Sequence, residues 1–334
     1  MELRMTSVEA PLRRGGGMKY ASLALPRRRL LLPSRVAAEA QEPSNLLNHN
    51  KKGKKMKKVF AVIAVLTSVF FTLTFAETPL DINTMLMRST FKLEGNGSIG
   101  TAFILGKPMP KEPNRAYFVM VTAAHVLNQM KGEKAVLHLR KKEGESFKRI
   151  PIEIRIRKGD KALWTTHPSA DVAVMYVSLP KEADITLMPT DLLATDEVLQ
   201  KFEIHPGDRL TCLGFPLNSE ANEAGFPILR SGYIASYPLV PTKTVKSFLF
   251  DFNVFEGNSG GPVYLVDLNR GYGGAINIGS VQFLVGLVSA QMENLEPIQS
   301  RTELRIQKTQ LGLGVVIHAA LIREALALLP AVPK

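Results

Sequence analysis

From residue 97 onward the chain never sustains a helical period for long. It breaks into apolar runs of strand length, separated by Gly, Pro, Asn and Asp. The runs fall at 98–105, 117–122, 135–140, 150–156, 172–177, 209–213, 248–255, 262–266, 283–290 and 314–317, and they are rich in Val, Ile, Phe and Leu. Many short strands punctuated by turns specify an all-β sandwich or barrel. Two segments read as helices, a short one at 124–131 and a clearer one at 317–329 that Pro330 ends. The stretch 180–204 has few strand signals and would link two halves of similar size, about 78–190 and 200–334. The chain of 334 residues has one cysteine, Cys212. No internal disulfide can form, so the fold rests on its core. Cys212 reads as a small buried apolar residue in a strand.

Charge is concentrated at the N-terminus. Of 42 Lys/Arg and 30 Asp/Glu, residues 1–76 hold 14 and 4, leaving 28 and 26 for the rest. Of the net +12, +10 therefore belongs to the leader and +2 to the rest, and no basic stripe with interleaved aromatics follows the leader. Nucleic acid is not an expected partner. Met56-Lys57-Lys58, the uncharged run 59–75 and the small Ala76 have the layout of a secretory signal peptide at 56–76, with 77–334 as the mature chain. The competing reading is an uncleaved anchor at 59–75, a short membrane span; the polar segment after Ala76 favours cleavage. A signal peptide starts near its N-terminus, so Met56 is the expected start. Residues 1–55 then read as a non-native or disordered leader. An Arg-rich transit peptide is the alternative, weakened by its four acidic residues. The expected location is the bacterial periplasm or the outside of the cell, with membrane contact only through an uncleaved leader.

Three segments carry chemistry. Thr122-Ala123-Ala124-His125 ends an apolar strand on a histidine. Asp171-Val172-Ala173 opens a strand with an acid. Gly257-Asn258-Ser259-Gly260-Gly261-Pro262 places a serine in a glycine-rich turn. A serine hydroxyl is a weak nucleophile that needs a neighbouring base. Histidine suits that task because it titrates near neutrality. A buried carboxylate holds the ring in the tautomer that can accept the serine proton. Small residues beside the nucleophile let backbone N–H groups converge on a developing oxyanion. No His/Cys cluster has metal-ligand spacing, and no cofactor or metal is expected.

These three segments resemble the signatures of trypsin-like, chymotrypsin-fold serine proteases, in the order His, Asp, Ser that such enzymes use. The nearest branch is the bacterial HtrA and glutamyl-endopeptidase type. Gly97-Ser98-Ile99-Gly100-Thr101, Gly214-Phe215-Pro216, Gly232-Tyr233-Ile234 and Gly312-Leu313-Gly314 resemble it further, so that the likeness covers about 90–329. It implies two six-stranded antiparallel β-barrels with a C-terminal helix. It implies catalysis by His125, Asp171 and Ser259, with an oxyanion hole from the N–H groups of Gly257 and Ser259. Polypeptide substrate would lie as an added strand along Val288, Ser289 and Ala290, with Gly314 in the cleft wall and Asn253 at the pocket base. Asn253 stands where trypsin-like relatives with an Arg/Lys preference carry Asp, so a preference for small or medium apolar side chains is expected.

Two departures stand out. Asn258 replaces the Asp that pairs with a new N-terminus in digestive zymogens, so that activation switch is not expected. HtrA proteins usually continue into a PDZ domain, whereas this chain ends at Lys334, so PDZ regulation is expected to be absent. His138, His167 and His205 match no motif and read as structural or solvated. His318 follows the cleft wall and is a loose candidate for contact with substrate. The run Arg140-Lys141-Lys142 reads as a solvated hairpin tip. The alternatives are a non-catalytic or latent protease-like module that binds peptides, and a hydrolase of small esters. The ester reading lacks a G-x-S-x-G elbow before a helix. Oligomeric state leaves no mark on the sequence.

Overall fold

A computed structural model describes residues 81–110, 112–277, 279–299 and 304–331; the expected leader and signal segment at 1–76 lie outside them. The first element is helix α1 (Ile82–Ser89), which the strand-oriented reading of the sequence did not include. Asp81 caps it, its carboxylate accepting from the N–H groups of Asn83 at 2.9 Å and Thr84 at 3.2 Å. Ile82 and Leu86, one helical turn apart, are buried.

The first sheet is built from β1 (Thr90–Gly95), β2 (Ser98–Met109), β3 (Glu112–Thr122), β4 (Lys134–Glu143) and β5 (Ser146–Arg155), with the short helix α2 (Ala124–Gln129) between β3 and β4. Two-residue strands follow: β6 (Arg157–Lys158) and β7 (Lys161–Ala162) pair with each other, and β8 (Thr165–Thr166) joins the sheet. Strands β9 (Ala173–Tyr176) and β10 (Met188–Pro189) complete it. The order is β5-β4-β1-β2-β3-β9-β8, with β10 parallel to β2.

Helix α3 (Asp196–Lys201) leads to the second sheet, a closed barrel. Its strands are β11 (Arg209–Gly214), β12 (Ile228–Ile234), β13 (Ser247–Asp251), β14 (Pro262–Asp267), β17 (Val281–Gln299) and β18 (Leu304–His318). They close in the order β11-β12-β13-β18-β17-β14, and the small hairpin β15 (Gly271–Tyr272) and β16 (Ala275–Ile276) stands apart. Helix α4 (Ala319–Ala327) follows β18 and buries Leu321, Ile322, Ala325 and Leu326.

This is the all-β, chymotrypsin-like architecture with a C-terminal helix. Six strands per unit holds for the second sheet. The first has eight because the two-residue strands β8 and β10 add to a set of six. Among the described residues no helix is long and apolar enough to cross a membrane.

One expectation is corrected here. Arg140 is not part of a solvated tip; it is fully buried. Its guanidinium lies between the rings of Phe91 (4.4 Å) and Phe226 (4.3 Å) and donates to the carbonyls of Gly225 (2.8 Å), Met87 (3.0 Å) and Thr90 (2.9 Å). Burial pulls its pKa down to about 9, against the opposing pull of Asp184 and Glu220. A cation was read as a surface charge, but its aromatic and carbonyl partners come from distant segments. The turn of the β4–β5 hairpin lies beyond it, between Glu143 and Ser146.

Candidate active site

Pairing in the first sheet brings the first two candidates together. Thr122 at the end of β3 lies opposite Ala173 at the start of β9. His125 comes three residues after the one and Asp171 two residues before the other, so both emerge at the same sheet end. His125 Nδ1 is 2.6 Å from Asp171 Oδ2, and the His125 backbone N–H donates to Asp171 Oδ1 at 2.9 Å. Ser289 Oγ donates to the same Oδ2 at 2.6 Å. Burial raises the pKa of Asp171, but the hydrogen bonds from the His125 side chain, Ser289 and the His125 backbone outweigh it, and the net pKa lies below the ordinary value.

The loop carrying Asp171 has its own support, which the sequence did not reveal. His167 is 5% exposed. Its N–H donates to Val172 O (3.0 Å), its Nδ1 accepts from Ser169 N–H (3.2 Å), and its Nε2 is 3.0 Å from the Glu324 carboxylate of α4. The histidine thus ties the C-terminal helix to the Asp171 loop.

Ser259 comes from the second sheet, in the loop between β13 and β14. Pro262 of β14 lies opposite Leu287 of β17, so that Ser259 and Ser289 stand side by side. Ser259 Oγ donates to Ser289 O at 3.2 Å rather than to His125 Nε2. Ser289 therefore touches the other candidates twice, through its hydroxyl at Asp171 and its carbonyl at Ser259. The sequence placed it only in the cleft wall.

The peptide groups around Ser259 are fixed one by one. Glu256 O accepts from Leu217 N–H at 2.7 Å, and Asn258 O accepts from Gly261 N–H at 2.9 Å. In a trans peptide the N–H points opposite to the C=O. These two bonds therefore aim the N–H groups of Gly257 and Ser259 away from Leu217 and Gly261, and neither finds an acceptor among the described residues. The peptides between and after them are held by Thr101, whose Oγ1 donates to Gly257 O at 2.6 Å and whose N–H donates to Ser259 O at 2.8 Å. Glycine is required at 257 and 260. Gly257 has φ +92 and a Cβ there would lie 2.1 Å from Phe215 O; Gly260 has φ +86 and a Cβ would lie 2.1 Å from Thr101 O.

The remaining candidates divide. Ala290 is exposed and lies opposite Val315 of β18, and Ser289 O accepts from the Ser259 hydroxyl, which sets the Ser289 carbonyl beside the nucleophile. Val288 does not fit main-chain pairing with substrate. Its N–H donates to Gly261 O (2.9 Å) and its carbonyl accepts from Gly260 N–H (2.7 Å), so it supports the nucleophile loop instead. Asn253 is exposed, its carbonyl accepts from Arg230 (2.8 Å), and its Oδ1 lies beside Gly312. Gly314 lies against Val254, leaving no room for a side chain. Asn258 is buried as a neutral amide. Cys212 is buried, and burial pushes its thiol up to about 12, consistent with an inert core position.

His318 is corrected as a substrate contact. It is 1% exposed, its ring packs against Phe248 with centroids 5.0 Å apart, and neither ring nitrogen has a partner. Burial pushes its pKa down to about 4, with a weak opposite pull from Asp196. The sign of the consequence follows. Above pH 6.5 the ring is neutral in both folded and unfolded chains. Between pH 6.5 and 4 only the unfolded chain takes the proton, so stability falls by about 3 kcal/mol over that window. Replacing His318 with Leu is expected to remove this loss. Thermal melts at pH 7 and pH 4.5 check it: the variant's drop in Tm should be smaller than the wild type's by roughly 5 °C or more. Equal drops would show that His318 does not titrate in this way.

The sequence model of the trypsin-like peptidase domain matches residues 100–270, just over half of the chain, so the protein belongs to the trypsin-like peptidase family. Among solved structures the chain is similar to an inactive form of Rv3671c from M. tuberculosis H37Rv, at 16% identity and TM-score 0.40, covering 77% of this chain and 96% of that one. It is also similar to the protease Anisep from Arthrobacter nicotinovorans, at 13% identity and TM-score 0.38, covering 72% and 94%. No curated protein matches it. Among the described residues no cluster of His, Cys, Asp and Glu is arranged to hold a metal ion.

Proposed function

We propose that the chain is an exported serine endopeptidase in which Ser259, His125 and Asp171 form the triad. The observation that carries the reading is one connected array: Ser259 Oγ to Ser289 O, Ser289 Oγ to Asp171, and Asp171 to His125, beside two unoccupied N–H groups at Gly257 and Ser259.

An extended substrate pairs with the cleft strand at Ser289. Its N–H at the scissile residue takes the Ser289 carbonyl and displaces the Ser259 hydroxyl, which turns to His125 Nε2. Triad hydrogen bonds of this kind commonly tighten only when substrate is bound. Ser259 Oγ then attacks the scissile carbonyl as its proton moves to His125. The new oxyanion takes the N–H groups of Gly257 and Ser259. The C–N bond breaks as the imidazolium returns the proton to the leaving amine. Water, deprotonated by the same histidine, hydrolyses the acyl-enzyme and restores Ser259. Asp171 stays ionised throughout, as its lowered pKa favours.

The present hydrogen bond of Ser259 to Ser289 rather than His125 also suits the second reading, a latent or purely peptide-binding module. Incubating the full-length chain with casein and reading the products by mass spectrometry separates the two. Discrete internal cleavages support the peptidase. Casein bound but uncut supports the module and overturns the enzyme.

A further inference from the structure

Resting on that reading, we infer that Lys92, a buried lysine of the first sheet, is a positioning residue for the oxyanion donor at Gly257 in the second.

The N–H of Gly257 is aimed by one bond, from Leu217 N–H to Glu256 O at 2.7 Å. The loop that supplies this donor is strained. Leu217 (φ 50, ψ 40) and Asn218 (φ 63) are consecutive non-glycine residues in the left-handed region. Leu217 resists that conformation unless its surroundings impose it, whereas asparagine enters it more readily. Packing of the Leu217 side chain does not, because it is 67% exposed. The local turn bonds, Asn218 N–H to Phe215 O at 3.1 Å and Ser219 N–H to Pro216 O at 2.9 Å, hold the loop only to itself.

The tie that reaches the left-handed pair itself is Lys92. It is 6% exposed, and its Nζ donates to Asn218 Oδ1 at 3.0 Å. The same Nζ lies 2.9 Å from Glu220 Oε1, an ion pair without hydrogen-bond alignment, and the other oxygen of Glu220 pairs with Arg149 of β5. A lysine is seldom buried to this degree without such partners. Lys92 also lies directly across the β1–β2 ladder from Thr101. One cross-strand pair of the first sheet thus reaches the nucleophile loop twice. Thr101 binds it directly, and Lys92 acts through 217–220. If Lys92 releases Asn218, the left-handed pair relaxes, Leu217 N–H leaves Glu256 O, and the peptide that presents Gly257 N–H is free to turn.

The test uses the full-length chain and a fluorophosphonate probe, whose phosphoryl oxygen needs the same donors as a peptide oxyanion. Asn218→Gly removes the acceptor of Lys92 while leaving a residue that takes positive φ without strain. It is expected to label at least tenfold more slowly. Its Tm and the low-field NMR signal of the His125 Nδ1 proton should match the wild type, because the His125–Asp171 pair is untouched. Asn218→Asp restores an acceptor for Lys92 and should recover most of the rate. Lys92→Met should behave as Asn218→Gly, and if it fails to fold, the two Asn218 variants carry the test. Labelling of Asn218→Gly at the wild-type rate overturns the inference. So does a loss of labelling that comes with loss of the His125 signal, which would mark general disruption. A folded wild type that does not label overturns the endopeptidase reading itself, and the inference with it.

Discussion

Ser259→Ala is expected to lower peptide hydrolysis by about a millionfold, to the level left by binding and the oxyanion donors alone. The change removes one oxygen from a half-buried position and leaves the loop backbone as it is. Every peptide carbonyl from Glu256 to Ser259 is held by Leu217, Thr101 or Gly261, and none of these bonds involves the Ser259 side chain. Binding of an uncleaved peptide should therefore persist. Titration of the variant with a fluorescent peptide, beside its hydrolysis rate, measures both. A variant that still cleaves within tenfold of the wild type would place the nucleophile elsewhere.

Asp171→Asn should cost about 10⁴-fold in kcat, and the hydrogen bonds dictate why. Asp171 Oδ1 accepts from the His125 backbone N–H, and Oδ2 accepts from the His125 ring and the Ser289 hydroxyl. An asparagine has one oxygen and one NH₂. The backbone N–H cannot change its role, so it takes the oxygen. The NH₂ then faces the ring, which must offer a lone pair at Nδ1 and carry its proton on Nε2. In that tautomer His125 cannot accept the proton of Ser259. Hydrolysis rates across pH 5–9 check this. A uniformly low rate with an unchanged KM is the expected result, and activity within tenfold of the wild type would remove Asp171 from the mechanism.

The triad candidates were legible because each sits in a short local string: small residues before His125, an acid opening the strand at Asp171, glycines around Ser259. The strand content was legible for the same reason, as runs of core residues between turns. What escaped depends on contacts between distant segments. Ser289 was assigned to the cleft wall by position, but its hydroxyl meets Asp171 from 118 residues away. Thr101 and Lys92 look like ordinary strand residues, and only the meeting of the two sheets turns them toward the nucleophile loop. Arg140 and His318 were misread in the same direction. A polar side chain is surface-seeking on average, and no local pattern announces that aromatic rings or a helix will cover it. The long hairpin of β17 and β18 beyond Ala290 was missed because none of its described side chains at 291–294, 296–297 and 306–312 is buried, so no core face imposes a periodic apolar pattern there. Val288 was misjudged by one residue. Neighbours in a strand send their backbone groups to opposite sides, and its own are spent on Gly260 and Gly261.

The most direct test of the central claim is to treat the full-length chain with a fluorophosphonate at neutral pH and locate the adduct by peptide mass spectrometry. A single adduct on Ser259, absent after heat denaturation and absent from His125→Ala, is the predicted result. An unmodified Ser259 in the folded protein, or a label spread over other serines, would contradict an activated triad at this site.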